Sequence, residues 1–113
     1  MSKETLVHLF HVLLVGGLFL YVGIQKTTIP TSWFPALFGL GAVIILYHTF
    51  KAYIYMMQNR GYWVNLIHIL LVGPLLLYIG YNGVKTARLY FELLLMLGFA
   101  AIGYHGYYML ISD

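Results

Sequence analysis

Four long apolar runs alternate along the chain with three short polar breaks. The runs extend from about Leu6 to Ile24, Trp33 to Met57, Trp63 to Tyr81 and Leu89 to Ile111. Each is as long as the roughly 20 helical residues that cross a hydrocarbon core. A bilayer obliges backbone polar groups to be satisfied within the segment, so the runs predict helices even though Val, Ile and Tyr are abundant. The breaks fall at 25–32, 58–62 and 82–87. Connections this short predict antiparallel neighbours and leave no room for a soluble domain. Thr31, Ser32 and Thr86 read as helix N-caps, and Pro35 falls in a first turn, where a missing N–H does little harm. Lys51 interrupts the second run near its end, where its long stem can carry the ammonium to the interface.

The runs are not independent of one another. His11 to Gly16 (HVLLVG) returns as His68 to Gly73 (HILLVG), and Leu20-Tyr21-Val22-Gly23 returns as Leu77-Tyr78-Ile79-Gly80. Leu40-Gly41 returns as Leu97-Gly98, and Tyr47-His48 as Tyr104-His105, all at one offset of 57 residues. Self-similarity without a gap marks one structural unit used twice. The expected fold is all-α: a polytopic membrane protein with four transmembrane helices arranged as two tandem helical-hairpin repeats. Repeat 1 covers about 6–57 and repeat 2 about 63–111, within a single transmembrane four-helix domain over 1–113 whose termini share a side.

Composition agrees with this class. The hydrophobic fraction is 62% and the charged fraction 8%, against about 25% charged in a soluble domain. So few charges could not cover a soluble surface of this size. The net charge of +3 is scattered rather than gathered in a basic run, so nucleic acid is not an expected partner. The absence of cysteine excludes disulfides, thiolate metal sites and thiol catalysis. Lys3 ahead of an apolar run resembles a signal peptide, but no small-x-small site follows and the run recurs as the third, so it reads as a retained helix. Lys3, Lys51 and Arg60 on the side of the termini balance Lys26, Lys85 and Arg88 on the other, so the positive-inside rule assigns no orientation.

Chemistry, if present, lies with the histidines. His11 and His68 sit about six residues into the first and third helices. His48 and His105 lie about six or seven residues before the ends of the second and fourth. At 1.5 Å per residue, these positions put all four imidazoles about 8–11 Å inside one membrane face, as a layer. His8 lies one turn further out and is matched by Asn65, which places it outside the duplicated set. On α-helical spacing, His48, Gly41 and Leu37 share a side, as do His105, Gly98 and Leu94. His11, Val15 and Leu18 likewise share a side, kept as His68, Val72 and Leu75. Gly16 and Gly23, kept as Gly73 and Gly80, read as a second packing surface. Gly41 and Gly98 would let helices approach closely.

Three roles compete for His11, His48, His68 and His105. They can hydrogen-bond and fix helix register. They can bind a cofactor, haem b or copper or zinc, for electron transfer. They can pass protons, although the opposite half of the bundle offers mainly Leu, Val and Gly. No cofactor is expected in the first role. Glu92 lies four residues after Arg88, so a local ion pair is expected. Met56, Met57 and Met96 are not grouped near the histidines and read as packing residues. Without a phosphate loop, a Ser/His/Asp set or paired carboxylates, an enzyme acting on a soluble substrate is not expected.

The duplicated pattern His-x-Leu-Leu-Val-Gly-(Gly/Pro)-Leu-x-Leu-Tyr-x-Gly, followed by Leu-Gly and Tyr-His, resembles small membrane proteins encoded by large DNA viruses of algae and protists. The resemblance covers both repeats and carries over no catalytic residue. It implies a multi-pass protein of the virion's internal membrane with a structural or assembly role. Its partners would be the lipid bilayer, further copies of itself in a homo-oligomer, and other membrane or capsid proteins. Within the pattern, Gly17 is replaced by Pro74 in the second copy, which predicts a kink in the third helix alone.

Overall fold

A computed structural model describes residues 1–111, and among them there is helix and turn but no strand. Helices α1 (Lys3–Thr28), α2 (Trp33–Met57), α3 (Trp63–Lys85) and α4 (Arg88–Ile111) are each long and apolar enough to cross a membrane. The second has the expected bounds, and the others run one to four residues further at one or both ends. Ser2 caps α1, its hydroxyl accepting from the Thr5 amide at 3.0 Å. Ser32 does not cap α2. Its backbone is already helical and its side chain makes no cap bond; the amides of Trp33 and Phe34 instead reach the carbonyls of Pro30 and Thr31. Thr86 is buried and turns its hydroxyl back to the Ile79 carbonyl.

The chain forms two compact units, a terminal one (1–28 with 87–113) and a central one (29–86). Helix α1 thus packs on α4, and α2 on α3. The central unit holds the hairpin that turns at 58–62. Its turn follows from the end of α2. Asn59 takes a positive φ of 56°, the Arg60 amide bonds the Tyr55 carbonyl at 2.8 Å and the Asn59 amide bonds that of Met56 at 3.2 Å. This is a Schellman turn, with asparagine in the place usually given to glycine.

Helices α1 and α3 both depart from α geometry within their first half. His11–Val15 in α1 and His68–Val72 in α3 are π-helical, with the Gly16 amide bonding the His11 carbonyl and the Gly73 amide that of His68. The i→i+5 turn moves the following residues round by one position. α-Helical spacing would place Val15 below His11; the π turn places Gly16 there. The packed side of α1 is accordingly Gly16, Phe19, Val22 and Gly23, all buried, while Val15 and Leu18 are only partly so. Imidazole and glycines therefore share one surface, and the two surfaces expected from the α register are a single one. The departure occurs in both helices, so Pro74 is not its cause.

Glycine sets how closely the helices approach. A Cβ on Gly23 would lie 2.7–3.0 Å from the backbone and Cβ of Leu95 in α4. On Gly80 it would lie 2.5 Å from the Phe38 amide and 2.6 Å from the Phe34 carbonyl. Gly41 faces the Gly73 carbonyl and Leu76, and Gly98 faces Phe19 and Leu20. Gly16 meets Ile102, and Gly73 meets Ile45. These contacts correspond at the same 57-residue offset, with the partner helices exchanged. Around them lie the buried side chains: Phe19, Val22, Phe91 and Leu94 in the terminal unit, and Phe34, Leu37, Leu76 and Ile79 in the central one.

Alanine tests the close approach. At Gly23 and Gly80 the added methyl meets backbone, which cannot swing aside, and overpacking of this kind costs about 1–3 kcal/mol. At Gly17 and Gly39 nothing lies within 4 Å. Thermal unfolding in detergent, followed by circular dichroism, should show a lowered midpoint for Gly23→Ala and Gly80→Ala and none for Gly17→Ala and Gly39→Ala. An equal response at all four positions would refute the packing described.

Candidate functional site

The four expected histidines fall into two sites, one in each unit. In the terminal unit His11 of α1 stacks on His105 of α4, with ring centroids 4.2 Å apart and planes 21° apart. In the central unit His68 of α3 stacks on His48 of α2 at 3.9 Å and 13°. His105 is buried; the others are partly so.

The backbone that positions them also fixes their protons. Nδ1 of His11 lies 2.8 Å from the Val7 carbonyl, and Nδ1 of His68 lies 2.8 Å from that of Val64. A carbonyl only accepts, so Nδ1 carries the hydrogen in both rings. Each imidazole thus shares a carbonyl that the α ladder itself uses, at the turn where the ladder opens into π geometry. The backbone amides of His11 and His68 keep their own bonds to the same carbonyls, so each carbonyl accepts twice.

The opposing ring has a third partner, which the expected set of four histidines left out. His48 Nδ1 donates to Asn65 Oδ1 at 2.8 Å, and in the terminal unit His105 Nδ1 lies 2.8 Å from Nδ1 of His8. His8 and Asn65 thus fill the same hydrogen-bonding role in the two units. Matching by identity missed the pair because two different residue types fill one role. The legible signal was the shared spacing: His8 and His11, like Asn65 and His68, are three residues apart and lie on one helical side. Asn65 is buried. Between His8 and His105 one ring must donate and the other accept, so neutral rings require opposite tautomers. Tyr108 stacks over His8 at 6.1 Å, and Tyr47 and Tyr104 meet the following histidine edge-on.

Each site is thus a stacked imidazole pair with one ring tied to its own helix and the other bonded across to the facing helix. In near-parallel rings the nitrogen lone pairs run side by side in separate planes. A metal at about 2.0–2.1 Å from one nitrogen would be out of line with the other. Among the described residues no three His, Asp or Glu side chains are grouped as a metal ion requires. Every buried side-chain nitrogen and oxygen among them has a hydrogen-bond partner. Glu92 pairs with Arg88 at 2.9 Å on an exposed face, as its spacing predicts. No protein-family model, curated protein or solved structure matches the chain.

The two sites interpret each other. Asparagine does in the central unit what histidine does in the terminal one, so His8→Asn and Asn65→His should each keep the cross-helix bond. His8→Leu and Asn65→Leu should remove it. Bonds of this kind between membrane helices are worth about 0.6 kcal/mol on average and up to about 1.7, and a buried group left without a partner adds to the loss. Thermal midpoints in detergent should fall clearly for the two leucine variants and little for the exchanges. Equal losses in all four would dissolve the equivalence.

Proposed function

We propose that this is an integral, multi-pass membrane protein without catalytic activity, acting as a structural or assembly component of its membrane. The observation that carries the reading is the surface. Leu13, Leu14, Val43, Leu46, Phe50, Leu70, Leu71, Met96 and Phe99 are all exposed along the middles of the four helices. Monomeric soluble proteins rarely expose contiguous apolar surface beyond a few hundred Å², and lipid acyl chains are the natural cover for such helices. The polar side chains that are buried are spent on hydrogen bonds between or within helices, which is the use a scaffold makes of them.

We further read the two units as two uses of one hairpin sequence, with helix partners exchanged between the copies. The resemblance to membrane proteins of large DNA viruses extends the proposal to the internal membrane of a virion. There the exposed faces would pack against further copies of the chain or against other membrane or capsid proteins.

The protein purified in mild detergent without added metal tests this reading. It should show no Soret band, and copper, zinc and iron should be far below one per chain. His48→Gln and His105→Gln should leave its assembly state unchanged in size-exclusion chromatography. A Soret band, or near-stoichiometric metal lost when His11, His48, His68 or His105 is replaced, would replace the scaffold with a haem or metal protein. Extraction from its membrane by alkaline carbonate would remove the multi-pass reading itself.

A further inference from the structure

The charge of this chain is unevenly divided. The sequence outside residues 29–86 holds Lys3, Lys26 and Arg88 against Glu4, Glu92 and Asp113, which cancel. Residues 29–86 hold Lys51, Arg60 and Lys85 and no Asp or Glu at all. The whole formal charge of +3 therefore belongs to the central unit. Two of its three cations meet at one place. Lys51 Nζ lies 5.3 Å from the centre of the Tyr55 ring, and the Arg60 guanidinium carbon lies 4.1 Å from it.

Local structure brings them together. Lys51 and Tyr55 are one turn apart on α2 and so share a side. The Schellman turn after Met57 folds the chain back so that the Arg60 amide bonds the Tyr55 carbonyl, which returns the Arg60 side chain over the Tyr55 ring. The guanidinium also reaches Gln58 Oε1 at 3.3 Å. Both cations gain from the ring face, and Arg60, just past the last turn, also from the negative end of the α2 dipole. Neither source supplies a counter-ion, and two like charges around one ring repel each other. The corresponding position in the second sequence copy is Tyr108 instead of Lys51, so the pair is particular to the central unit.

We propose that Lys51, Tyr55 and Arg60 form a binding site for the phosphate of an anionic phospholipid. The proposal rests on the multi-pass membrane reading, which puts the end of α2 at the headgroup level. A lysine whose stem lies along an apolar helix and whose ammonium is carried towards the helix end suits that depth. Guanidinium supplies a fork of donors for phosphate oxygens, and the ammonium a compact second charge. Basic residues at the membrane surface are drawn to anionic lipid in the same way.

The test uses the full chain, delipidated in detergent and offered equal amounts of phosphatidylglycerol and phosphatidylcholine, with bound lipid counted by native mass spectrometry. Phosphatidylglycerol should be retained over phosphatidylcholine by about thirtyfold, the order expected for two cations at about 1 kcal/mol each near an anionic headgroup. The preference should vanish in Lys51→Gln with Arg60→Gln, survive in Lys51→Arg, and survive in Lys85→Gln at the other end of the unit. Circular dichroism and elution volume of each variant must match the parent for the comparison to count, and Lys51→Gln alone, which leaves the turn intact, should lose most of the preference. Equal binding of the two lipids by the parent, or loss of preference in Lys85→Gln to the same extent, would overturn the proposal. Displacement of the bound lipid by inorganic phosphate in large molar excess would overturn the lipid assignment in favour of the free anion. Flotation with vesicles of either lipid separates the two readings. A protein that floats with both and prefers neither refutes this site alone, and one that floats with neither refutes the membrane reading beneath it.

Discussion

The single π turn that begins at His11 in α1 and at His68 in α3 is the constraint on which the packing of these helices turns. The His11 side chain bonds the Val7 carbonyl there, and His68 that of Val64. The ladder widens by one residue for a single turn, and Gly16 and Gly73 receive the carbonyls of the histidines themselves. One added residue per turn rotates everything downstream by roughly 100° relative to an α-helix. The rotation brings Gly16, Phe19, Val22 and Gly23 beneath His11 on the side that meets α4, and Gly73, Leu76 and Ile79 beneath His68 on the side that meets α2. Without it, the imidazole and the glycines would address different neighbours, and the stacked rings and the close backbone approach could not belong to one interface.

That coupling explains why the interface is built from such unlike parts. Close approach at Gly23 and Gly80 brings backbones together, and dispersion between well-packed atoms holds such helices in contact. It gives little directional information, because glycine is smooth. The imidazole pair supplies what glycine lacks. A bond from His48 to Asn65, or between His8 and His105, forms at one axial register and is lost when either helix slides by a residue. Burying these polar groups costs free energy unless they are satisfied, and in both units they are. Nδ1 of each ring is engaged in a hydrogen bond.

Much of this was legible in the sequence, for identifiable reasons. The spans follow from run length, and the Arg88–Glu92 pair from spacing. The importance of Gly16, Gly23, Gly41, Gly73, Gly80 and Gly98 follows from their recurrence. What was not legible follows from two assumptions. Strict α periodicity assigned Val15 and Leu18 to the side of His11, because nothing in the composition of HVLLVG distinguishes a π turn from an α one. Short connections predict antiparallel neighbours without saying which pairs close into compact units. The compact units pair α1 with α4 and α2 with α3, because the glycine faces complement one another in those pairs. His8 and Asn65 were separated by identity matching although both meet the same requirement of a partner for Nδ1. Ser32 has a cap residue's chemistry but a backbone already helical, and Ser2, outside the apolar pattern, holds the cap that forms.

The two units also show where a repeated design is free to differ. At the Nδ1 partner, histidine and asparagine interchange because only a hydrogen-bonding atom at a fixed place is required. At the end of α1, Lys26 takes a φ of 55° where the second copy has Gly83 at 56°, a conformation glycine adopts without strain and lysine does not. The strain is tolerated at a helix end, where it disturbs no packing. One turn beyond the imidazoles the divergence is larger. Position 51 carries lysine and its counterpart carries Tyr108, which covers His8 with an aromatic face, while Lys51 and Arg60 share the ring of Tyr55. What the two units hold in common is what the helix interface within each of them needs. What separates them lies at the helix ends, where charge meets the surroundings, and it gives two similarly built units different chemical faces.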